Sequence, residues 1–139
     1  MKKSFLILIG LFMLVSVCIQ AQQTNQPGPP YSKARKVNET LYISGQIARD
    51  PVSGKIINND IKEATRQSMK NIGAILESYK LKFKDLMMVQ IYLKDLNDYD
   101  DVNEAYRSFF ENEEFPARVC LEVSRIPGDS PIEISAIAE

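Results

Sequence analysis

The chain has 139 residues, of which 45% are apolar and 25% charged, a composition typical of a globular protein with its own core. Its formal net charge of −1 excludes a general attraction to nucleic acid or to an acidic membrane surface. The absence of histidine removes the commonest general base and the commonest metal ligand, and two cysteines are too few for a zinc cluster or a disulfide framework.

Residues 1–21 have the pattern of a signal peptide. Two lysines precede an apolar run of 13 residues, Phe5–Val17, and Ala21 ends a tolerable cleavage site. The alternatives are an uncleaved membrane anchor, for which 13 residues are short, and lipidation at Cys18, where Val17 occupies the position of an expected small residue. We therefore expect export to the periplasm or the extracellular space, without membrane contact after cleavage, and a lipid anchor through Cys18 as the alternative.

The chain after residue 21 begins with an extended leader and two strands. Residues 22–30 are polar and proline-rich, so the predicted folded domain covers residues 31–139. The segment "YSKARKVNETLYISGQIA" predicts two strands that turn at Asn38 and Glu39. Residues 60–80 then predict a helix, because apolar residues recur at helical spacing and Asp60 begins a capping-box pattern.

The second half of the chain alternates strands with a helix. Residues 85–96 predict a strand, and residues 98–111 predict a helix that Asn97 or Asp98 can cap. A strand around Arg118, a turn and a last strand at 132–138 complete the order β-β-α-β-α-β-β. Helices between strands imply crossovers, so we predict an α+β domain with one mixed sheet and both helices packed on one face.

The opposite sheet face is predicted to be bare. The alternation along "FPARVCLEVSR" separates Arg118 and Cys120 from their apolar neighbours, and we expect both residues on this bare face together with Glu133. A half-apolar exposed face predicts self-association.

Arg118 is the first candidate functional residue. An arginine in a strand is usually one half of an ion pair, and Glu122 or Glu133 could be its partner. The functional alternative is a carboxylate clamp, since the planar guanidinium fits a carboxylate with two hydrogen bonds.

The remaining candidates each have a plain structural alternative. Glu133 is either a surface charge or a group that orients a water molecule. Cys120, the only cysteine after signal cleavage, lacks a histidine to activate it, so a buried structural role is favoured over a nucleophile. Tyr31 is a packing residue or a site wall. Ser44 and Gly45 end a strand, or they offer a backbone N–H that a ligand can approach closely.

Several segments together resemble the RidA group of the Rid (reactive intermediate deaminase) family over nearly the whole chain, from Gly28 to Ala138. They are "GPPYSKA", "YISGQIARDPVSGKI", "TRQSMKNIGAILES", "VQIYLKDLNDYDDVNEAY", "FPARVCLEVSRIP" and "IEISAIA". The resemblance implies a fold like that of chorismate mutase and a homotrimer with ligand sites in the clefts between subunits. It also implies hydrolysis of 2-imino acids and their enamine tautomers, such as 2-aminoacrylate and 2-iminopropionate, to 2-oxo acids and ammonia without a metal or cofactor.

The resemblance also implies roles for individual residues. Arg118 matches the carboxylate-binding arginine of the family, and Glu133 matches the glutamate thought to position the attacking water. The remaining matches are pocket positions, with Cys120 acting mainly through its backbone: Cys120, Tyr31, Ser44, Gly45 and Asn103.

The predicted signal peptide departs from the family pattern, because reactive imines arise mostly from cytosolic enzymes. Export therefore favours a changed substrate rather than a lost site. The alternative function is a protein that keeps the family site but binds small carboxylates or protects against stress without catalysis. An endoribonuclease is disfavoured, since the chain has no histidine pair and no basic stripe.

Overall fold

The computed structural model describes residues 28–139. The predicted signal peptide, the lipidation alternative at Cys18 and most of the predicted leader lie outside these residues. Within residues 28–139, no helix has the length and apolar character needed to cross a membrane.

Five strands and two helices follow one another in the predicted order. The strands are β1 (Ala34–Val37), β2 (Thr40–Ile47), β3 (Leu86–Leu93), β4 (Ala117–Glu122) and β5 (Ile132–Ala138), and the helices are α1 (Ile61–Ser78) and α2 (Tyr99–Arg107). The sheet order is β1-β2-β5-β3-β4, in which only β3 and β4 are parallel. This confirms the α+β domain with a mixed sheet, whereas α2 is shorter than the predicted helix at 98–111.

The hydrophobic core lies between one face of the sheet and the two helices. Val89, Ile91 and Leu93 of β3 are fully buried, as are Ile132 and Ile134 of the neighbouring strand β5. Helix α1 contacts β2, β5 and α2. Both helices therefore cover the same sheet face, as predicted, and this face contains the apolar positions that alternate along the strands.

The helix caps agree with the sequence at α1 and differ at α2. The Asp60 carboxylate accepts a hydrogen bond from the Glu63 N–H at 3.1 Å, but the Glu63 carboxylate pairs with Arg66, so only half of the capping box forms. Both predicted caps of α2 are wrong, since the Asn97 side chain donates a hydrogen bond to Asp95 and Asp98 makes no capping bond. A 3₁₀ turn precedes α2, so Asp98 is already helical and makes no capping bond, and Asp95 caps this turn instead.

The predicted placement of Arg118 and Cys120 on the bare sheet face is wrong. In the parallel pairing of β3 with β4, Val89 lies beside Arg118 and Ile91 beside Cys120. Because residues paired in this way project to the same side of a sheet, both Arg118 and Cys120 lie on the face covered by the helices. Glu133 does lie on the open face, since it alternates with the buried residues Ile132 and Ile134.

The two acidic residues considered as caps should respond differently to substitution. Asp60→Ala should lower the free energy of unfolding by about 1 kcal/mol, because α1 loses its capping bond. Asp98→Ala is the matched control and should cause no loss. Burial and repulsion from Asp95 and Asp101 raise the pKa of Asp98, so the fold does not stabilise its charge.

Denaturant unfolding of both variants at one fixed protein concentration checks this pair. An equal loss of stability in both variants would contradict the assignment of the caps.

Candidate functional site

The Arg118 guanidinium extends from β4 to the side of α2. Its Nη2 donates a hydrogen bond to the Asn103 side-chain oxygen at 2.7 Å and another to the Tyr99 hydroxyl at 3.2 Å. Both acceptors are neutral. These neighbours therefore fix the position of the guanidinium against α2 without compensating its positive charge.

Two aromatic rings of α2 complete the environment of the guanidinium. The Arg118 Cζ lies 4.9 Å from the ring centroid of Tyr106 and 5.7 Å from that of Tyr99. Tyr99, Asn103 and Tyr106 are spaced by four and three residues, which places them on one face of the helix. Burial raises the pKa of Tyr106 against the opposing effect of Arg118, so this phenol is neutral beside the cation.

Within residues 28–139 Arg118 has no carboxylate partner. None of the ion pairs formed by these residues includes Arg118. The Glu122 carboxylate instead accepts a hydrogen bond from the Leu96 N–H at 2.9 Å, and Glu133 lies on the opposite sheet face. The two ion pairs considered from the sequence are therefore wrong within the described chain, and the cation is available to a ligand.

A small cavity opens beside this arginine. Its volume is about 320 Å³, at the lower end of the range for small-molecule sites. Its lining combines the cation with an amide and aromatic side chains: Asn103, Tyr106, Arg107, Phe115, Pro116 and Arg118. A cation next to apolar walls suits a small acid with a short apolar side chain.

Cys120 contributes a thiol that is ill suited to nucleophilic attack. Its half-buried side chain packs against the core, and burial raises the pKa of the thiol more than Arg118 lowers it. The thiol is therefore protonated at neutral pH.

The backbone of Cys120 is more accessible than its thiol, because β4 is the last strand of the sheet. The Val123 N–H donates to the Leu93 carbonyl at 2.8 Å, so the backbone groups of odd-numbered residues in this segment point toward β3. Those of Arg118 and Cys120 point outward from the free sheet edge.

The second group of candidate residues surrounds Glu133 on the open sheet face. The pairing of β2 with β5 is interrupted by a bulge between Ile43 and Gln46. The Glu133 carboxylate lies directly over Gly45 in this bulge, where any Cβ would overlap it. Glycine is therefore required for the observed position of Glu133. Partial burial raises the pKa of Glu133.

Ser44 lies within β2 and contacts the segment that follows Tyr31. The Ser44 hydroxyl donates a hydrogen bond to the Ser32 carbonyl at 2.7 Å, which ties the start of the domain to the bulge. Tyr31 directly precedes Ser32 and is 66% exposed. Ser44, Gly45 and Glu133 thus form a second group, and Tyr31 is connected to it through Ser32. We call these four residues, Tyr31, Ser44, Gly45 and Glu133, the Glu133 half-site.

The structure divides the sequence-predicted site residues between two faces of the sheet. Arg118, Asn103 and the backbone of Cys120 form an Arg118 half-site at the β4 edge, and the Glu133 half-site lies on the open face. Tyr99 and Tyr106 are not among the site residues predicted from the sequence, although both lie one helical turn from Asn103 on the same face of α2. Residues 28–139 contain no group of three or more His, Cys, Asp or Glu side chains that could hold a metal.

Comparison with known proteins places this chain in a family. The family model described as Endoribonuclease L-PSP matches residues 22–139. A RutC family protein of Pyrococcus horikoshii is 50% identical over 116 residues, which cover 82% of this chain and 91% of that protein. The human 2-iminobutanoate/2-iminopropanoate deaminase is 41% identical over 109 residues, 78% of this chain and 79% of the human protein.

A solved structure shows that the similarity extends to the fold. The crystal structure of E. coli TdcF with bound serine has a TM-score of 0.74 at 34% identity, and the match covers 79% of this chain and 87% of that chain. The five-stranded mixed sheet with two helices is the chorismate-mutase-like fold that the resemblance predicted. Sequence and fold thus agree over almost all described residues, and the chain belongs to the endoribonuclease L-PSP family, the family of the Rid and RutC proteins.

Proposed function

We propose that this protein hydrolyses 2-imino acids and their enamine tautomers to 2-oxo acids and ammonia. The observation that carries this proposal is the Arg118 guanidinium, which neutral groups hold beside a small cavity and which no carboxylate of residues 28–139 neutralises. Two relatives support the substrate class, since the human protein is named an imine deaminase and TdcF binds serine, a small amino acid.

The complete site forms between two copies of the chain in a homotrimer. Arg118 and Glu133 lie on opposite faces of one sheet, so a single chain cannot direct both side chains at one small ligand. A ring of three copies would bring the Arg118 half-site of one copy against the Glu133 half-site of the next. Half-exposed apolar side chains on the open face, such as Tyr42 and Leu121, support such an interface.

Hydrolysis in this site follows from the chemistry of the two half-sites. Arg118 binds the substrate carboxylate, while Glu133 of the next copy and the Cys120 carbonyl hold a water molecule. The water oxygen bonds to the imine carbon and its protons pass to nitrogen. The carbon–nitrogen bond then breaks, ammonia leaves and the 2-oxo acid remains. Positioning provides much of the acceleration, because the imine already reacts with water.

The second candidate function is binding of a small carboxylate without turnover. It is favoured by the predicted export, which we retain as a proposal, since an exported protein would meet few imines formed by cytosolic enzymes. An endoribonuclease, the activity in the family description, would have to work without histidine in a chain of net charge −1.

Arg118→Ala should lower kcat/KM for imine hydrolysis at least about 100-fold while the oligomer persists, because the substrate is no longer positioned. Arg118→Lys should also fail, since an ammonium cannot form the paired hydrogen bonds. The assay generates 2-iminopropionate from alanine with an amino-acid oxidase and follows the loss of its semicarbazone.

Arg66→Ala is the matched control for these variants. It removes an arginine from a surface ion pair on α1 and should leave the rate unchanged. Near-native turnover by Arg118→Ala would refute the clamp. A native protein that binds 2-oxo acids but leaves the semicarbazone yield unchanged would favour the binding function.

Arg118→Ala and Glu133→Gln should complement each other when they are expressed together in equal amounts. Each variant alone lacks one of the two native residues at every interface, but random assembly of a ring restores both native residues at about one quarter of the interfaces. The control mixes the two variants after each has assembled separately, under conditions in which subunits do not exchange. This mixture should regain no activity. Failure of the co-expressed variants to regain activity would exclude a site shared between copies.

Activity should fall on acidification at a higher pH than an ordinary glutamate would dictate. Glu133 must be ionised to orient the water, and burial raises its pKa above the ordinary value of 4.5. Because the pKa is raised in the folded state, protonation of Glu133 stabilises the fold. The loss of activity on acidification is therefore not caused by unfolding that Glu133 drives.

The pH profile of kcat/KM measures this effect, with Glu133→Gln as the reference. The Gln variant should be slower and should lack the acid limb. An acid limb that stays in the Gln variant, or a native midpoint at or below 4.5, would contradict the assigned role.

A further inference from the structure

The guanidinium of Arg118 is already partly occupied by its own chain. The Nη2 atom has two hydrogens and already donates two hydrogen bonds, to Asn103 and to Tyr99. This matters for the clamp because each way of binding a carboxylate with two hydrogen bonds needs an Nη2 hydrogen. One mode pairs it with Nε–H and the other pairs it with Nη1–H. A carboxylate can therefore bind with two hydrogen bonds only if one of these two neighbours gives up its place.

Of the two neighbours, Tyr99 can more easily break its hydrogen bond to Nη2. Its oxygen lies 3.2 Å from Nη2, whereas the Asn103 oxygen lies at 2.7 Å, so the tyrosine forms the weaker bond. Tyr99 is also 39% exposed, and its ring lies farther from the cation than the buried ring of Tyr106. Movement of the Tyr99 hydroxyl costs little packing, and Asn103 with Tyr106 would still hold the guanidinium.

The acceptor oxygen of Tyr99 carries a hydrogen that it can donate, whereas the acceptor oxygen of Asn103 carries none. In the bond to Arg118 the phenol oxygen accepts, so its own hydrogen is not used in that bond, and none of residues 28–139 accepts it. A carboxylate that takes the Nη2 hydrogen from Tyr99 arrives within reach of this O–H. The exchange replaces one Arg118–Tyr99 bond by an Arg118–carboxylate bond and a Tyr99–carboxylate bond.

We propose that Tyr99 is a substrate-binding residue, whose hydroxyl leaves the Arg118 Nη2 and donates a hydrogen bond to the carboxylate that Arg118 binds. This inference rests on the proposed function of Arg118 as a carboxylate clamp. Without ligand, Tyr99 satisfies the exposed donor of the guanidinium. With ligand, Tyr99 donates a third hydrogen bond to the carboxylate, beside the two from Arg118. The site then favours acids whose carboxylate lies close to α2.

Tyr99→Phe tests the proposal, because it keeps the ring over the guanidinium and removes only the hydroxyl. The dissociation constant for 2-oxobutanoate, a product of the proposed reaction, is measured by NMR titration of the purified protein, beside steady-state imine hydrolysis. We expect about 10-fold weaker binding and an equally higher KM, with kcat nearly unchanged, since the lost hydrogen bond acts on the carboxylate rather than on the reacting carbon.

Tyr79→Phe is the matched control, since Tyr79 is 40% exposed at the end of α1 and should show native binding. Native affinity in Tyr99→Phe would overturn the proposal. Tighter binding would overturn it too, because the hydroxyl would then only compete with the ligand for Nη2.

The failure of this inference is distinguishable from failure of the proposed function. If Arg118→Ala abolishes binding and turnover while Tyr99→Phe changes neither, the clamp stands and the role of Tyr99 is wrong. If native protein and Arg118→Ala bind 2-oxobutanoate equally, the clamp itself is wrong and the role of Tyr99 falls with it.

Discussion

The parallel pairing of β3 with β4 decides where the functional groups of this protein lie. Within the described sheet it is the only parallel contact, and it aligns Arg118 and Cys120 with the buried residues Val89 and Ile91. The guanidinium is thereby directed under α2 instead of toward the open face. Since β4 is also the last strand, the arginine is anchored on a rigid strand yet stands at the margin of the core, where a ligand can reach it.

The neutral environment of Arg118 explains how a half-buried cation is tolerated and still available. A carboxylate partner would satisfy the guanidinium but cancel its charge, whereas Asn103 and two tyrosine rings stabilise the cation without neutralising it. The positive charge is then compensated fully only when an anion enters. On the opposite face, Gly45 has the complementary effect, because its missing Cβ makes room for the partly buried carboxylate of Glu133.

Much of the fold and part of the site can be predicted from particular residues. The period-two alternation in β3 and the helical spacing in α1 are local patterns, so the sequence shows them directly. The family resemblance implies Arg118, Glu133 and Asn103 as candidate site residues. The cap of α2 is mispredicted because the 3₁₀ turn before this helix makes Asp98 helical. Alternation divides the residues of a strand into two sets, but it does not say which set faces the core.

The sequence by itself determined the element order, the character of each element and the chemical groups available to a ligand site, since these follow from local spacing and composition. The tertiary structure decided which face of β4 meets the helices, because that depends on the register between β4 and β3, which are distant in the chain. It likewise decided that Tyr99 and Asn103 share the Nη2 atom of Arg118, a contact between a helix and a strand that no local pattern specifies.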